Sequence, residues 1–249
     1  GSAAARAQDA PLLHALFQDH AVLQRDRPVP VWGIAGAGAT VHVTLARETV
    51  TTRAGNDGRW RATMPPLAAG GPYELVAKAG RATQVVRDVM IGDVWLCSGQ
   101  SNMELPVWRA LDATSEIAAA TQPDIRLFTV PQAASVLPRS VFGGTTAWKP
   151  ASPETVRDFS AACFYFAREL RKTAGVPMGL IQAAWGGSRI EAWTGADALR
   201  AGGGMDEALD VLALYAHDPA AALARWGRHW ERWWTTRAGA VPGDRPWRR

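Results

Sequence analysis

The stretch Gly92-Asp93-Val94-Trp95-Leu96-Cys97-Ser98-Gly99-Gln100-Ser101-Asn102-Met103-Glu104 constrains the fold more than any other part of the chain. Val94 to Cys97 is an apolar run without polar alternation that stops abruptly at Ser98-Gly99, which reads as a buried strand ending in a polar turn. Gly99 allows a tight turn because no Cβ obstructs it. Ser101 therefore projects from the carboxyl end of a strand, where open α/β sheets hold their ligands. A serine placed there is a candidate nucleophile.

From residue 92 onward strands alternate with helical segments, the signature of a parallel sheet covered on both faces. Ile125 to Val130 and Met178 to Ala184 read as the next two strands, and Ala110 to Ala120 as an alanine-rich helix. Residues 131–157 read as a long loop. Asp158 reads as the N-cap of a helix from Phe159 to about Thr173, with Phe159, Cys163, Phe166 and Leu170 recurring at helical spacing and Gly175 past its end. A second glycine block, Trp185-Gly186-Gly187-Ser188-Arg189-Ile190-Glu191-Ala192-Trp193, follows the third strand. Glycine at a strand end lets a backbone N–H point into a site unobstructed by a side chain, as an oxyanion donor needs. The nucleophile elbow of the α/β-hydrolases loses ground, because it needs glycine two residues either side of the serine and Met103 stands in the second position.

Gly99-Gln100-Ser101-Asn102-Met103 resembles the nucleophile block of the SGNH hydrolases. The longer stretch from Gly92 to Glu104, and the WGGSxIExW form of residues 185–193, resemble the sialate O-acetylesterase-like branch of carbohydrate esterases. The resemblance implies an SGNH-type α/β/α sandwich with a parallel sheet, of which this chain carries the first half. It implies a serine esterase that removes acetyl groups from acetylated saccharides, either sialic acid or a plant hemicellulose such as xylan or xyloglucan. Ser101, rather than Ser98, would be the nucleophile and would contribute its backbone N–H to the oxyanion hole. Gly187, preferred over Gly186, would be the other donor. Gln100, Asn102, Arg189 and Glu191 are supporting candidates: Gln100 and Glu191 to brace the two blocks, Arg189 to meet an acidic or hydroxyl-rich substrate. Such chemistry requires no cofactor and no metal, and no His/Cys cluster has ligand spacing.

A serine hydroxyl needs a base to activate it, usually a histidine oriented by a carboxylate. SGNH enzymes take both from an Asp-x-x-His motif. The histidines of this chain are His14, His20, His42, His217 and His229, and none has aspartate three residues before it. The Asn-bearing third block of the family is also absent, and three parallel strands are found where the resembled fold has about five. The catalytic Asp and His are therefore expected outside this chain, on a C-terminal fragment of the same polypeptide that stays docked. Two alternatives from other classes are a glycan-binding module without catalysis and a structural subunit of a two-fragment protein.

Residues 12–91 read as an N-terminal β-sandwich, with short strand-like runs at Ala21–Gln24, Val29–Trp32, Val41–Leu45, Thr49–Arg53, Trp60–Met64 and Tyr73–Ala77, and a hairpin signal at Asn56-Asp57-Gly58. This region also resembles the N-terminal β-domain of the same esterases, and it is read as scaffold. Residues 92–215 are assigned to the catalytic domain and 216–249 to a helical segment and the start of an inserted module. Trp226, Trp230, Trp233 and Trp234 share one face of a helix, more in keeping with packing than with sugar stacking.

Residues 1–11 read as a cloning scar, Gly1-Ser2, and a signal remnant ending in an A-x-A pattern, so the protein is expected to be exported to the periplasm or secreted. No apolar run approaches the roughly 18 residues that span a bilayer, and no membrane partner is expected. The net charge of +4 is concentrated in residues 225–249, where seven arginines face only Glu231 and Asp244. No nucleic-acid fold accompanies that basic end, so no nucleic-acid partner is expected. Cys97 and Cys163 both sit in apolar contexts and are expected as free buried thiols rather than a pair.

Overall fold

The computed structural model describes residues 11–237. The signal remnant and the module start expected after Val241 lie outside the described residues. The chain divides into two compact units: one holds the chain up to Ala133 with Val141–Ser188, the other Ala134–Ser140 and the chain from Arg189.

The first unit begins with β1 (Val22–Gln24), β2 (Val29–Ile34), β3 (Thr40–Leu45), β4 (Glu48–Arg53), β5 (Arg59–Met64), β6 (Gly70–Ala79) and β7 (Ala82–Gly99). It continues through α1 (Ser101–Glu104), a 3₁₀ turn at Val107–Arg109, α2 (Ala113–Ala118), β8 (Gln122–Thr129), β9 (Trp148–Ala151), α3 (Pro153–Val156), α4 (Ala161–Ala174) and β10 (Met178–Ala184). It is an SGNH-like α/β fold joined to a separate β-layer.

Strands β2 and β5 form a two-stranded antiparallel sheet facing the sheet β4-β3-β6-β7, and β1 adds to β7 in parallel. Alternation decides which residues go inward: Val41, Val43 and Leu45 of β3 and Trp60, Ala62 and Met64 of β5 are buried, with exposed residues between most of them. Asn56-Asp57-Gly58 does not close a hairpin. It lies between β4 and β5, which belong to different sheets, so the signal marks a corner. Two-residue hairpins stand instead at Gly80-Arg81 between β6 and β7 and at Ala46-Arg47 between β3 and β4, where Ala46 takes φ 55°, a conformation its side chain does not advertise.

The apolar run at 94–97 is the end of one 18-residue strand. The first half of β7 pairs with β6 and β1, and its second half pairs in parallel with β10, Asp93 with Met178 through Gly99 with Ala184. β10 pairs in parallel with β8, and the antiparallel β9 closes the sheet beyond it. Both β9 and α3 fall within the stretch expected to be a loop; a Pro at each element hid them.

Three further expectations are corrected. The strand before Ser101 is not buried throughout: Leu96 is 67% exposed and Trp95, T-shaped against Phe166, is 39% exposed, on a half of β7 that among the described residues pairs with no strand but β10. The N-cap of α4 is Ser160, whose Oγ accepts the Cys163 N–H, rather than Asp158; the buried stripe is Ala161, Cys163, Phe164 and Ala167, with Phe166 turned outward. Cys97 and Cys163 are not free thiols. They form a disulfide that ties β7 to α4, with Cα atoms 5.9 Å apart.

The second unit contains a 3₁₀ turn at Ile190–Trp193 followed by α5 (Ala196–Gly202), α6 (Asp206–Tyr215) and α7 (Pro219–Arg237). Arg225 of α7 pairs with Glu207 of α6 at 2.8 Å. The α7 tryptophans contact one another: Trp230 lies edge-on to Trp226 and to Trp233, with centroids 5.8 and 5.2 Å apart. No helix among the described residues is long and apolar enough to cross a membrane.

Candidate active site

Ser101 opens α1 directly after β7. The chain can reverse there because Met103 and Glu104 donate their N–H groups to the Gln100 carbonyl at 2.9 and 3.0 Å, and Leu105 donates to the Ser101 carbonyl at 2.9 Å. The Ser101 hydroxyl is exposed and donates to Gln100 Oε1 at 2.9 Å.

The second block meets the first at the adjacent strand end. Trp185 N–H donates to the Gly99 carbonyl at 2.9 Å, closing β10 against β7. Gly186 N–H donates to the Glu104 carboxylate, whose other oxygen accepts from Gln132 Nε2 at 2.5 Å. Gln132 also donates to the Ala184 carbonyl at 3.3 Å. Glu104 is thus a clamp between the two blocks, and sequence reasoning assigned it no role. The only signal available was its place at the end of the first block.

The two glycines of the second block have different reasons. A Cβ on Gly186 would stand 2.6 Å from Glu104 Oε2 and 3.5 Å from Ser101 Cα, so a side chain there would displace the Glu104 carboxylate from the turn. Gly187 has φ 78°, in the left-handed region that glycine occupies without strain. Among the described residues, neither Ser101 N–H nor Gly187 N–H bonds to a protein group, whereas Gly186 N–H is committed to Glu104.

These groups line one pocket of about 960 Å³ that also holds Asn102, Trp108, Arg109 and Asp158. Its outer wall is set by backbone bonds between residues 105–108 and the chain entering α4: Val107 N–H to the Phe159 carbonyl at 3.0 Å, Trp108 N–H to the Arg157 carbonyl at 3.1 Å. Trp108 is 48% exposed, with the guanidinium groups of Arg109 and Arg157 each 5.8 Å from its ring centre. Behind the pocket, buried Gln182 accepts the Ser160 N–H at 2.9 Å and so joins β10 to the start of α4.

Not every candidate comes to this place. Gln100, Ser101, Asn102, Gly186 and Gly187 come together; Arg189 and Glu191 belong to the second unit, where Arg189 precedes the 3₁₀ turn that contains Glu191. No histidine among the described residues lines the pocket. His14 lies against Trp32 and Phe142, His42 bonds to Thr51, and His229 stacks on Trp226. His20 Nδ1 is 2.6 Å from Asp88, which also receives Arg126 at 2.6 Å. Burial opposes the charged form of Asp88, but the hydrogen bonds and charges of Arg126 and His20 outweigh it and hold its carboxyl below the usual range. Among the described residues no group of three or more His, Cys, Asp or Glu is arranged to hold a metal ion.

Comparison with known proteins relates the chain to carbohydrate esterases. Residues 91–204 match the family described as carbohydrate esterase, sialic acid-specific acetylesterase. The chain is similar to the sialate O-acetylesterases of Rattus norvegicus, 36% identical over 75% of this chain, and of Homo sapiens, 37% identical over 70% of it. It spans 38% and 36% of the length of those two relatives. Among solved structures it is similar to a carbohydrate acetylesterase from Xanthomonas citri, with a TM-score of 0.73 and 43% identity over 76% of this chain and 44% of that one.

Proposed function

We propose that this chain, whose residues 91–204 carry a carbohydrate-esterase domain of the sialate O-acetylesterase type, removes O-acetyl groups from acetylated saccharides with Ser101 as its nucleophile. The observation that carries the reading is the meeting of the exposed Ser101 hydroxyl with the Gly186-Gly187 turn in one pocket. Ser101 Oγ attacks the acetyl carbonyl carbon and gives its proton to a base. The oxyanion that forms accepts from the N–H groups of Ser101 and Gly187, each worth about 3 kcal/mol in the transition state. Collapse expels the sugar oxygen, which takes the proton from the base. Water, activated by the same base, then releases acetate from the acetyl-serine.

The base and its carboxylate come from outside this chain. The absence of histidine from the pocket among the described residues supports this, and so does the exposed apolar surface of Leu96, Trp95 and Phe166 at a sheet edge where β7 pairs with no strand but β10, which suits a docked segment of the same polypeptide. The Cys97–Cys163 disulfide favours an exported protein, since such bonds persist in oxidising compartments.

The test is acetate release by the full polypeptide from an acetylated sugar and from p-nitrophenyl acetate, with Ser101→Ala as control. Ser101→Ala is expected to abolish release from both while the thermal transition stays in place. Retained release removes Ser101 as nucleophile. Binding of acetylated glycan without turnover, by a sample containing the whole polypeptide, favours the non-catalytic glycan-binding reading instead.

A further inference from the structure

The pocket at Ser101 does not end at the acetyl site. A second pocket, of about 410 Å³, adjoins it, and Thr129 and Asp158 line both. The two lie along the same edge of the sheet: β7, β10 and β8 end there, and the antiparallel β9 begins there. Four neighbouring strands at about 4.8 Å spacing make a track of roughly 14 Å from β7 to β9, longer than a single sugar ring requires.

The second pocket has a buried apolar floor, Leu127 and Phe159, and a polar rim. Thr146 and Thr155 are occupied, the first bonded to Gln18 at 3.1 Å and the second to the Pro150 carbonyl at 2.7 Å. Thr129, Thr145, Lys149 and Glu154 make no side-chain hydrogen bond or ion pair among the described residues. An ammonium donor, a carboxylate acceptor and two hydroxyls that serve as either are thus left facing a cavity that shares a wall with the nucleophile's pocket. Asp158, at the junction, is paired with Arg157 at 2.9 Å. The carboxylates of Glu154 and Asp158 disfavour an anionic ligand, whereas mixed donors and acceptors over an apolar floor suit a neutral pyranose.

We propose that this second pocket is a subsite for a neutral sugar linked to the acetylated one, so that the substrate is an oligosaccharide rather than a free monosaccharide. Lys149 and Glu154 hold the hydroxyls of the second ring, and Thr129 and Asp158 flank the linkage. The assignment rests on the esterase reading for the occupant of the first pocket, but its test is made by binding and needs no turnover.

Calorimetric titration of the full polypeptide carrying Ser101→Ala, so that no acetate is released during the measurement, with mono-O-acetylated xylotriose and with O-acetylated methyl xyloside is the experiment. The trisaccharide is expected to bind about tenfold more tightly, which is about 1.4 kcal/mol. Lys149→Ala and Glu154→Gln, each shown to be folded by its thermal transition, are expected to bring the ratio of the two affinities toward one. Equal affinities when Lys149 and Glu154 are both unsubstituted, no measurable binding of either sugar, or a ratio untouched in both folded variants overturns the subsite. Should one of the variants fail to fold, the other decides. A preference for the trisaccharide while the full polypeptide with Ser101 intact releases no acetate retains the subsite and loses the esterase reading.

Discussion

At the scale of single residues, the geometry around Ser101 depends on the carboxylate of Glu104. Glu104 accepts from Gly186 N–H and from Gln132, and through them holds the turn that presents Gly187. In the proposed reaction it is a positioning residue. Glu104→Gln preserves the shape but replaces a charged acceptor by a neutral one, and hydrogen bonds to charged groups contribute about 1.5–3 kcal/mol. If most of that is felt only when the oxyanion must be held, kcat falls roughly 10- to 100-fold with KM little changed. Steady-state kinetics of acetate release measures the split; an effect confined to KM would instead place Glu104 in sugar binding. Sequence reading selected the serine and both glycines because their backbone demands are local. It missed Glu104 because a carboxylate 82 residues from its partner shows no local pattern.

At the scale of elements, α4 is fixed by its own cap and by a tie to the strand that ends before Ser101. The cap is local: Ser160 accepts the Cys163 N–H at 3.2 Å, and Ser160→Ala is expected to cost about 1 kcal/mol, read as a lowered denaturation midpoint. The tie is the Cys97–Cys163 disulfide, which closes a separation of 66 residues. The paired Cys97→Ala, Cys163→Ala variant is expected to lose about 2–5 kcal/mol, and the unsubstituted protein to lose the same on reduction. A denaturation midpoint unmoved by reductant would contradict the link. The helix itself was legible from its apolar spacing and from Gly175 at its end. Its cap was misplaced because Asp158 and Ser160 are both good capping residues, and only the antiparallel bridge between Pro106 and Ser160 decides which stands at the turn. The disulfide was equally hidden. Whether two apolar-context cysteines meet depends on the packing of one helix on one strand.

At the scale of the whole first unit, β7 is a single strand shared by two layers, with Asp88 in its first half and Ser101 just past its end. Arg126 of β8, 7% exposed at its side chain, reaches Asp88 and couples the β-layer to the parallel sheet. Asp88→Asn suits a test of this coupling because asparagine also tolerates the residue's φ of 54°. It leaves the Arg126 guanidinium without its carboxylate, at a cost of about 1–3 kcal/mol at neutral pH. The folded-state value of Asp88 is lowered, so its contribution is present above the ordinary carboxylate value and is lost as pH falls through the lowered one. The gap in Tm between the unsubstituted protein and Asp88→Asn should therefore be widest near neutrality and close in acid. A gap that widens on acidification would refute the coupling.

The sequence by itself determined the periodicities, the turns and the chemistry that sits on them. Alternation in β3 and β5, the glycines beside a strand end and the exposed serine are all settled within a few residues of chain, because they follow from backbone sterics and from which side chains avoid water. The tertiary structure alone decided what joins these pieces: that β7 runs unbroken through both layers, that Glu104 closes on Gly186, that Cys97 meets Cys163, and that Thr129 and Asp158 stand between two pockets. Each of these is a contact between residues distant in the chain, and no local preference encodes it.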